Sequence, residues 1–92
     1  MRLLIVEDEK KLCDAIAKSL HGAGYEVDVC YDGDEALSMI FEERYDLLVL
    51  DLNLPGTDGM EILRTLRQEN EETKVLILSA RSQIADKVEG LD

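Results

Sequence analysis

Apolar residues fall along this chain in two rhythms. Unbroken four-residue runs occur at Leu3–Val6, Leu47–Leu50 and Val75–Leu78, the pattern of parallel strands covered on both faces. The second and third runs predict strands over 46–51 and 74–78. Between the runs the spacing is helical. Leu12, Ile16 and Leu20, with Ala15 beside them, lead to Gly22 and Gly24, which can close a first helix. Ala36, Leu37, Ile40 and Phe41 form the inner face of a second helix, and Ile62, Leu63 and Leu66 that of a third. Ile84, Val88 and Leu91 predict a short fourth. Glu26–Cys30 alternates instead, which predicts a half-exposed edge strand. Asp32-Gly33-Asp34 reads as a turn and Leu52–Thr57 as a loop, while Asp58 followed by Glu61 has the form of a capping box with Asp as the cap.

Strand and helix therefore alternate throughout, which predicts an α/β fold with a parallel sheet and helices on both faces, joined by right-handed crossovers. A length of 92 residues fits one small domain, 1–92, without internal repeats or low-complexity stretches. A hydrophobic content of 46% is that of a globular protein and argues against disorder.

Each buried run ends on polar groups: the first on Glu7 and Asp8, the second on Asp51, the third on Ser79. Ligands of open α/β sheets bind at the carboxyl edge of the strands. If the three strands are neighbours, three carboxylates and a hydroxyl meet there. Crowded carboxylates repel, and one or more should have a raised pKa unless a divalent cation compensates. Mg²⁺ suits such a site, since it favours oxygen ligands and needs only one or two direct carboxylates. A carboxylate at the end of a central strand can also act as a nucleophile and take a phosphoryl group. Taken singly, each residue has a plainer reading. Glu7 and Asp8 can favour the start of the first helix, Ser79 can be a turn or cap residue, and Pro55-Gly56 a turn. The joint arrangement carries the functional reading.

The formal charge of -11 argues against a direct nucleic-acid surface, which needs a basic face. Most of the 21 acids serve as solvated surface. Cys13 and Cys30 lack any CxxC spacing and fall on apolar faces, so they are expected to be buried reduced thiols. No run approaches membrane-spanning length, and the four apolar residues after Met1-Arg2 are too few for a signal peptide, so a cytoplasmic location is expected.

Longer motifs sharpen this reading: Leu4 through Glu9 (LIVEDE), Tyr31-Asp32-Gly33, Asp46 through Gly59 (DLLVLDLNLPGTDG), Leu78 through Arg81, and Val88 through Asp92. In these stretches the whole chain resembles the receiver domain of two-component response regulators, closest to the OmpR/PhoB (winged-helix) subgroup. The resemblance implies a flavodoxin-like (CheY-like) sheet with strand order 2-1-3-4 for the four βα units present. It implies that Asp51 is the phosphoacceptor, that Asp8 binds Mg²⁺ directly and that Glu7 acts through water. Asn53 would complete the metal's protein ligands with its backbone carbonyl, Ser79 would be the switch hydroxyl, and Pro55 and Gly56 would shape the site. The phosphoryl group would come from a histidine on a sensor histidine kinase. His21 is not that donor, because a cation at the end of the first helix has a structural role.

The resemblance also implies a fifth strand, carrying a lysine and an aromatic residue, and a fifth helix. The sequence stops at Asp92, before both, so a piece of a longer chain is expected, with DNA reached only through an output domain outside it. Without a fifth strand, strand four becomes an apolar edge, which predicts self-association through it or through swapped elements. Two other classes compete. A haloacid-dehalogenase-type phosphohydrolase needs an acid two residues after the nucleophile, where Asn53 stands. A pseudo-receiver, a pure interaction module, usually loses one of the acids that Glu7, Asp8 and Asp51 retain; absence of phosphorylation is nevertheless an alternative for this length of chain.

Overall fold

The unbroken apolar runs become the interior of a parallel sheet. The computed structural model describes residues 1–69 and 72–78. Within them the chain runs β1 (Arg2–Val6), α1 (Lys10–Gly22), β2 (Glu26–Cys30), α2 (Gly33–Glu42), β3 (Leu47–Asp51), α3 (Gly59–Glu69) and β4 (Lys74–Leu78). The sheet order is β2-β1-β3-β4, with every pairing parallel. This is the flavodoxin-like order that the motifs implied. Ser79 and the fourth helix expected around Ile84, Val88 and Leu91 lie outside the described residues.

Side chains alternate across a strand, so the central strands supply two cores. Leu4, Val6, Leu48 and Leu50 face α2 and α3, packing with Ala36, Ile40, Ile62 and Leu66. Ile5 and Val49 face the other way, where Cys13, Ile16, Ala17 and Leu20 of α1 cover them. Both thiols are buried and free, as expected.

The helix ends follow local chemistry. Gly24 adopts φ +101°, and its N–H donates to His21 O while Tyr25 N–H donates to Leu20 O, closing α1 with a Schellman turn. The expected turn at Asp32-Gly33-Asp34 is the start of α2: Asp32 is its cap, accepting Glu35 N–H at 2.8 Å. Asp58 caps α3 as predicted, accepting from Met60 N–H at 2.7 Å and Glu61 N–H at 3.3 Å. The Glu61 carboxylate is engaged by Arg64, one turn on.

Two expectations about burial need correction. Phe41, assigned to the inner face of α2, is 59% exposed. It lies next to the last residue of the helix, where Ile40 and the buried ring of Tyr45 already fill the core. Leu76 and Ile77 of β4 are 54% and 42% exposed although their run reads as a doubly covered strand. Among the described residues β4 pairs on one side only, with β3.

A polar cluster closes the amino-terminal edge of the sheet. Asp28 Oδ2 accepts the Tyr45 hydroxyl at 2.7 Å and pairs with Arg2 at 3.1 Å, and the Arg2 guanidinium lies 5.7 Å from the centre of the Tyr45 ring. The backbone N–H groups of Arg2 and Asp46 are each bonded within this pair of residues, the first to the Asp46 carboxylate and the second to Arg2 O.

Candidate functional site

Strand register brings the acids together. Val6 pairs with Leu50, so the next residues, Glu7 and Asp51, stand side by side at the carboxyl edge. Glu7 N–H donates to Cys30 O at 3.1 Å, which carries the ladder one residue beyond β1. By the period-two rule Glu7 follows Ile5, and Asp51 follows Val49, onto the face that α1 covers. Both acids are 2% exposed. Asp8 is exposed beside them, and one carboxylate oxygen from each of Glu7, Asp8 and Asp51 lies within 4.8 Å of the others.

The plain reading of Glu7 and Asp8 as helix-start residues does not account for this geometry. The cap of α1 is Glu9, which makes no side-chain cap bond. Glu7 Oε2 accepts the Glu9 N–H at 2.9 Å, while Glu7 Oε1 is buried without a hydrogen-bond partner. A buried, unsatisfied oxygen costs on the order of 1–3 kcal/mol and persists where something else uses it. Burial pushes the Glu7 carboxyl up to about 7; the Glu9 N–H opposes this, and neighbouring Asp8 and Asp51 add to it. A divalent cation held at these oxygens would offset the mutual repulsion, and one of its waters would satisfy the orphan oxygen. The all-carboxylate donor set fits a hard ion such as Mg²⁺.

The loop after β3 is tied to Asp51. Asn53 N–H donates to Asp51 Oδ1 at 3.1 Å, which fixes the rotation of that carboxylate; the Asn53 side chain itself is exposed. Gly56 turns the loop with φ +76°, a conformation that favours glycine. Pro55 O accepts Gly33 N–H at 3.0 Å, and Asp34 Oδ1 accepts both the Thr57 N–H at 3.1 Å and the Thr57 hydroxyl at 2.6 Å. Sequence reading missed these contacts of Gly33 and Asp34, because nothing local marks a bond between residues 23 apart.

Of the sequence-derived site residues, Glu7, Asp8, Asp51 and Asn53 are brought together, and Ser79 lies one position beyond the last described strand residue. His21 stands in the last turn of α1, next to the start of β2 and so at the other edge of the sheet. A groove of about 300 Å³ lined by Ile40, Phe41, Glu42, Glu43, Arg44 and Glu69 lies between the carboxyl ends of α2 and α3, away from the acids.

Known proteins resemble this chain over its whole length. The response regulator receiver domain family matches residues 3–92. The transcriptional regulatory protein DltR of Streptococcus agalactiae is 47% identical over 92 residues, which is 100% of this chain and 41% of DltR. Response regulator MprA of Mycobacterium avium is 41% identical over 92 residues, again 100% of this chain and 40% of MprA. The chain thus spans about two fifths of the length of these curated relatives. Among solved structures, the receiver domain of Francisella response regulator 1452 has a TM-score of 0.82 at 38% identity, covering 98% of this chain and 74% of its own. TrrA from Thermotoga maritima, solved in complex with Mg(2+)-BeF, has a TM-score of 0.83 at 32% identity, covering 98% of this chain and 78% of its own.

Proposed function

The chain belongs to the response regulator receiver domain family, and on that premise we propose that residues 1–92 act as a phosphorylation-controlled switch, with Asp51 as phosphoacceptor. The observation that carries this reading is the meeting of Glu7, Asp8 and Asp51, together with a buried oxygen of Glu7 that has no hydrogen-bond partner.

Asp8 and Asp51 would hold Mg²⁺ directly, Glu7 through water and Asn53 through its backbone carbonyl; the ion would neutralise phosphoryl oxygens during in-line transfer. TrrA, solved with Mg(2+)-BeF, supports this choice of ion. Asn53 N–H holds Asp51 Oδ1 and leaves Oδ2 to attack phosphorus. The new bond joins that oxygen to phosphorus. The bond to the donor nitrogen of a sensor kinase histidine breaks, and its electron pair stays on the imidazole. Ser79 would then hydrogen-bond the acquired phosphoryl oxygens as the switch hydroxyl. The domain promotes transfer to itself and is not a dedicated enzyme for an external substrate.

The curated relatives named above are transcriptional or response regulators, which supports an OmpR/PhoB-type protein whose DNA contacts belong to an output domain. No helix among the described residues is long and apolar enough to cross a membrane, and a cytoplasmic setting suits a kinase-to-DNA relay. The exposed apolar residues of β4, Leu76 and Ile77, support self-association along that strand.

The deciding experiment is the intact mass of the chain after incubation with acetyl phosphate, with and without Mg²⁺. One added phosphoryl group that requires Mg²⁺ is the expected result. No added mass would mean that residues 1–92 do not take the group without the lysine of a fifth strand. Repeating the assay on a chain extended through a fifth helix then separates that case from a pseudo-receiver, an interaction module that never takes the group.

A further inference from the structure

Resting on the receiver reading, we propose that Asp34 is a positioning residue for Asp51, acting through the loop that links β3 to α3. Asp51 touches that loop at its first turn, where Asn53 N–H donates to Asp51 Oδ1 at 3.1 Å. The far half of the loop is fastened to α2. Asp34 Oδ1 accepts two bonds from Thr57, at 3.1 Å from the N–H and 2.6 Å from the hydroxyl. Gly33 N–H adds a third tie, to Pro55 O at 3.0 Å.

Packing allows little freedom around these ties. A Cβ on Gly33 would lie 1.7 Å from Thr57 O, so any side chain there must displace the loop. A Cβ on Gly56 would lie 3.0 Å from Asp34 Oδ2. The loop backbone therefore rests directly on the first residues of α2, with the Asp34 carboxylate closed over it. Helix capping does not explain this carboxylate, because Asp32 already takes the Glu35 N–H that a cap satisfies. Nor does a general preference for acids at a helix start, which needs no aimed pair of bonds to a residue 23 positions away. The consequence is that Asp34 sets where Asn53 N–H sits, and so how the Asp51 carboxylate is turned toward an incoming phosphoryl group.

The test compares wild type, Asp34→Ala and Asp34→Asn for the rate of mass gain with acetyl phosphate and Mg²⁺. Amide hydrogen exchange is followed over residues 52–58 in the same proteins, and circular dichroism reports the fold. Loss of the tether should slow labelling roughly tenfold, as sub-ångström misplacement of reacting groups does, and speed exchange within 52–58. Asn keeps an Oδ1 acceptor, so D34N should restore both readouts, whereas a role for the charge alone would leave it as slow as D34A. A merely structural Asp34 would lower the melting temperature of D34A without changing the labelling rate of the folded protein. That result, or a D34N as slow as D34A, overturns the assignment while the receiver reading stands. A wild-type chain that takes no phosphoryl group overturns the phosphoacceptor reading of residues 1–92 and this assignment with it. Should D34A lose its fold, Thr57→Val, which removes only the hydroxyl donor, carries the same comparison with a smaller expected slowing.

Discussion

Glu7 and Asp51 end adjacent parallel strands side by side, each 2% exposed, with carboxylate oxygens within 4.8 Å. Two buried acids at that distance repel, and the pair is maintained by the register of β1 and β3. Asp51→Asn keeps the shape and the acceptor for Asn53 N–H while removing the nucleophile and one charge. It should abolish phosphoryl acceptance in an intact-mass assay and leave the melting temperature no lower than wild type. Labelling that persists in this variant would move the acceptor elsewhere.

Burial of Glu7 at this site sets a pH dependence. The Glu7 carboxyl is raised from 4.5 to about 7, chiefly by burial. Its proton is thus held more tightly in the folded chain than in the unfolded one. The stability this adds is complete below about pH 4.5 and is lost as pH rises through 7. Glu7→Gln mimics the protonated form, so in metal-free buffer it should exceed wild type by an amount that grows with pH. The gain should build up between about pH 4.5 and 7 and level off above neutrality. Urea melts of both proteins at about pH 5 and about pH 8 check it, and a constant difference between them would argue against a perturbed Glu7.

Asp8 is the exposed member of the cluster, so replacing it perturbs the fold least. Asp8→Asn should weaken Mg²⁺ binding by about tenfold or more, read by calorimetric titration. Unchanged affinity would remove Asp8 from the ligand set.

Ile62 of α3 is fully buried in the core that also holds Leu4, Val6, Leu48 and Leu50 of the sheet. Ile62→Ala should cost about 2–5 kcal/mol, visible as a lower urea midpoint with an unchanged slope. A loss well under 1 kcal/mol would mean that α3 is not docked as described.

Leu76 and Ile77 leave apolar surface on β4. Sedimentation velocity across a wide concentration range should show a faster component that Leu76→Lys diminishes. A single monomer boundary at every concentration would count against association through this strand.

How far the sequence led differs from element to element. β1 and β3 were readable because an unbroken apolar run directly reports cover on both faces, and Leu4, Ile5, Leu48 and Leu50 are all buried. In β4 the run by itself reads as covered on both faces, because it records only what can be covered; the exposure of Leu76 fits instead the apolar edge that the family resemblance implied for this strand. Phe41 failed for a related reason: helical periodicity assigns a face but not the point where the helix runs past its partner. The acids were legible as strand ends, and their convergence followed from parallel order. The orphaned Glu7 oxygen and the bonds from Asp34 to Thr57 were not, because both depend on atomic approach between segments distant in the chain.

Gly59, the first residue of α3, has no room for a side chain. A Cβ there would lie 2.7 Å from Leu52 Cα and 2.9 Å from Asp51 O. The two nearest atoms are backbone, and only the third, Leu52 Cδ2 at 3.0 Å, belongs to a side chain that can move aside. Any side chain at position 59 would therefore have to move the first turn of α3 away from the end of the strand that carries Asp51.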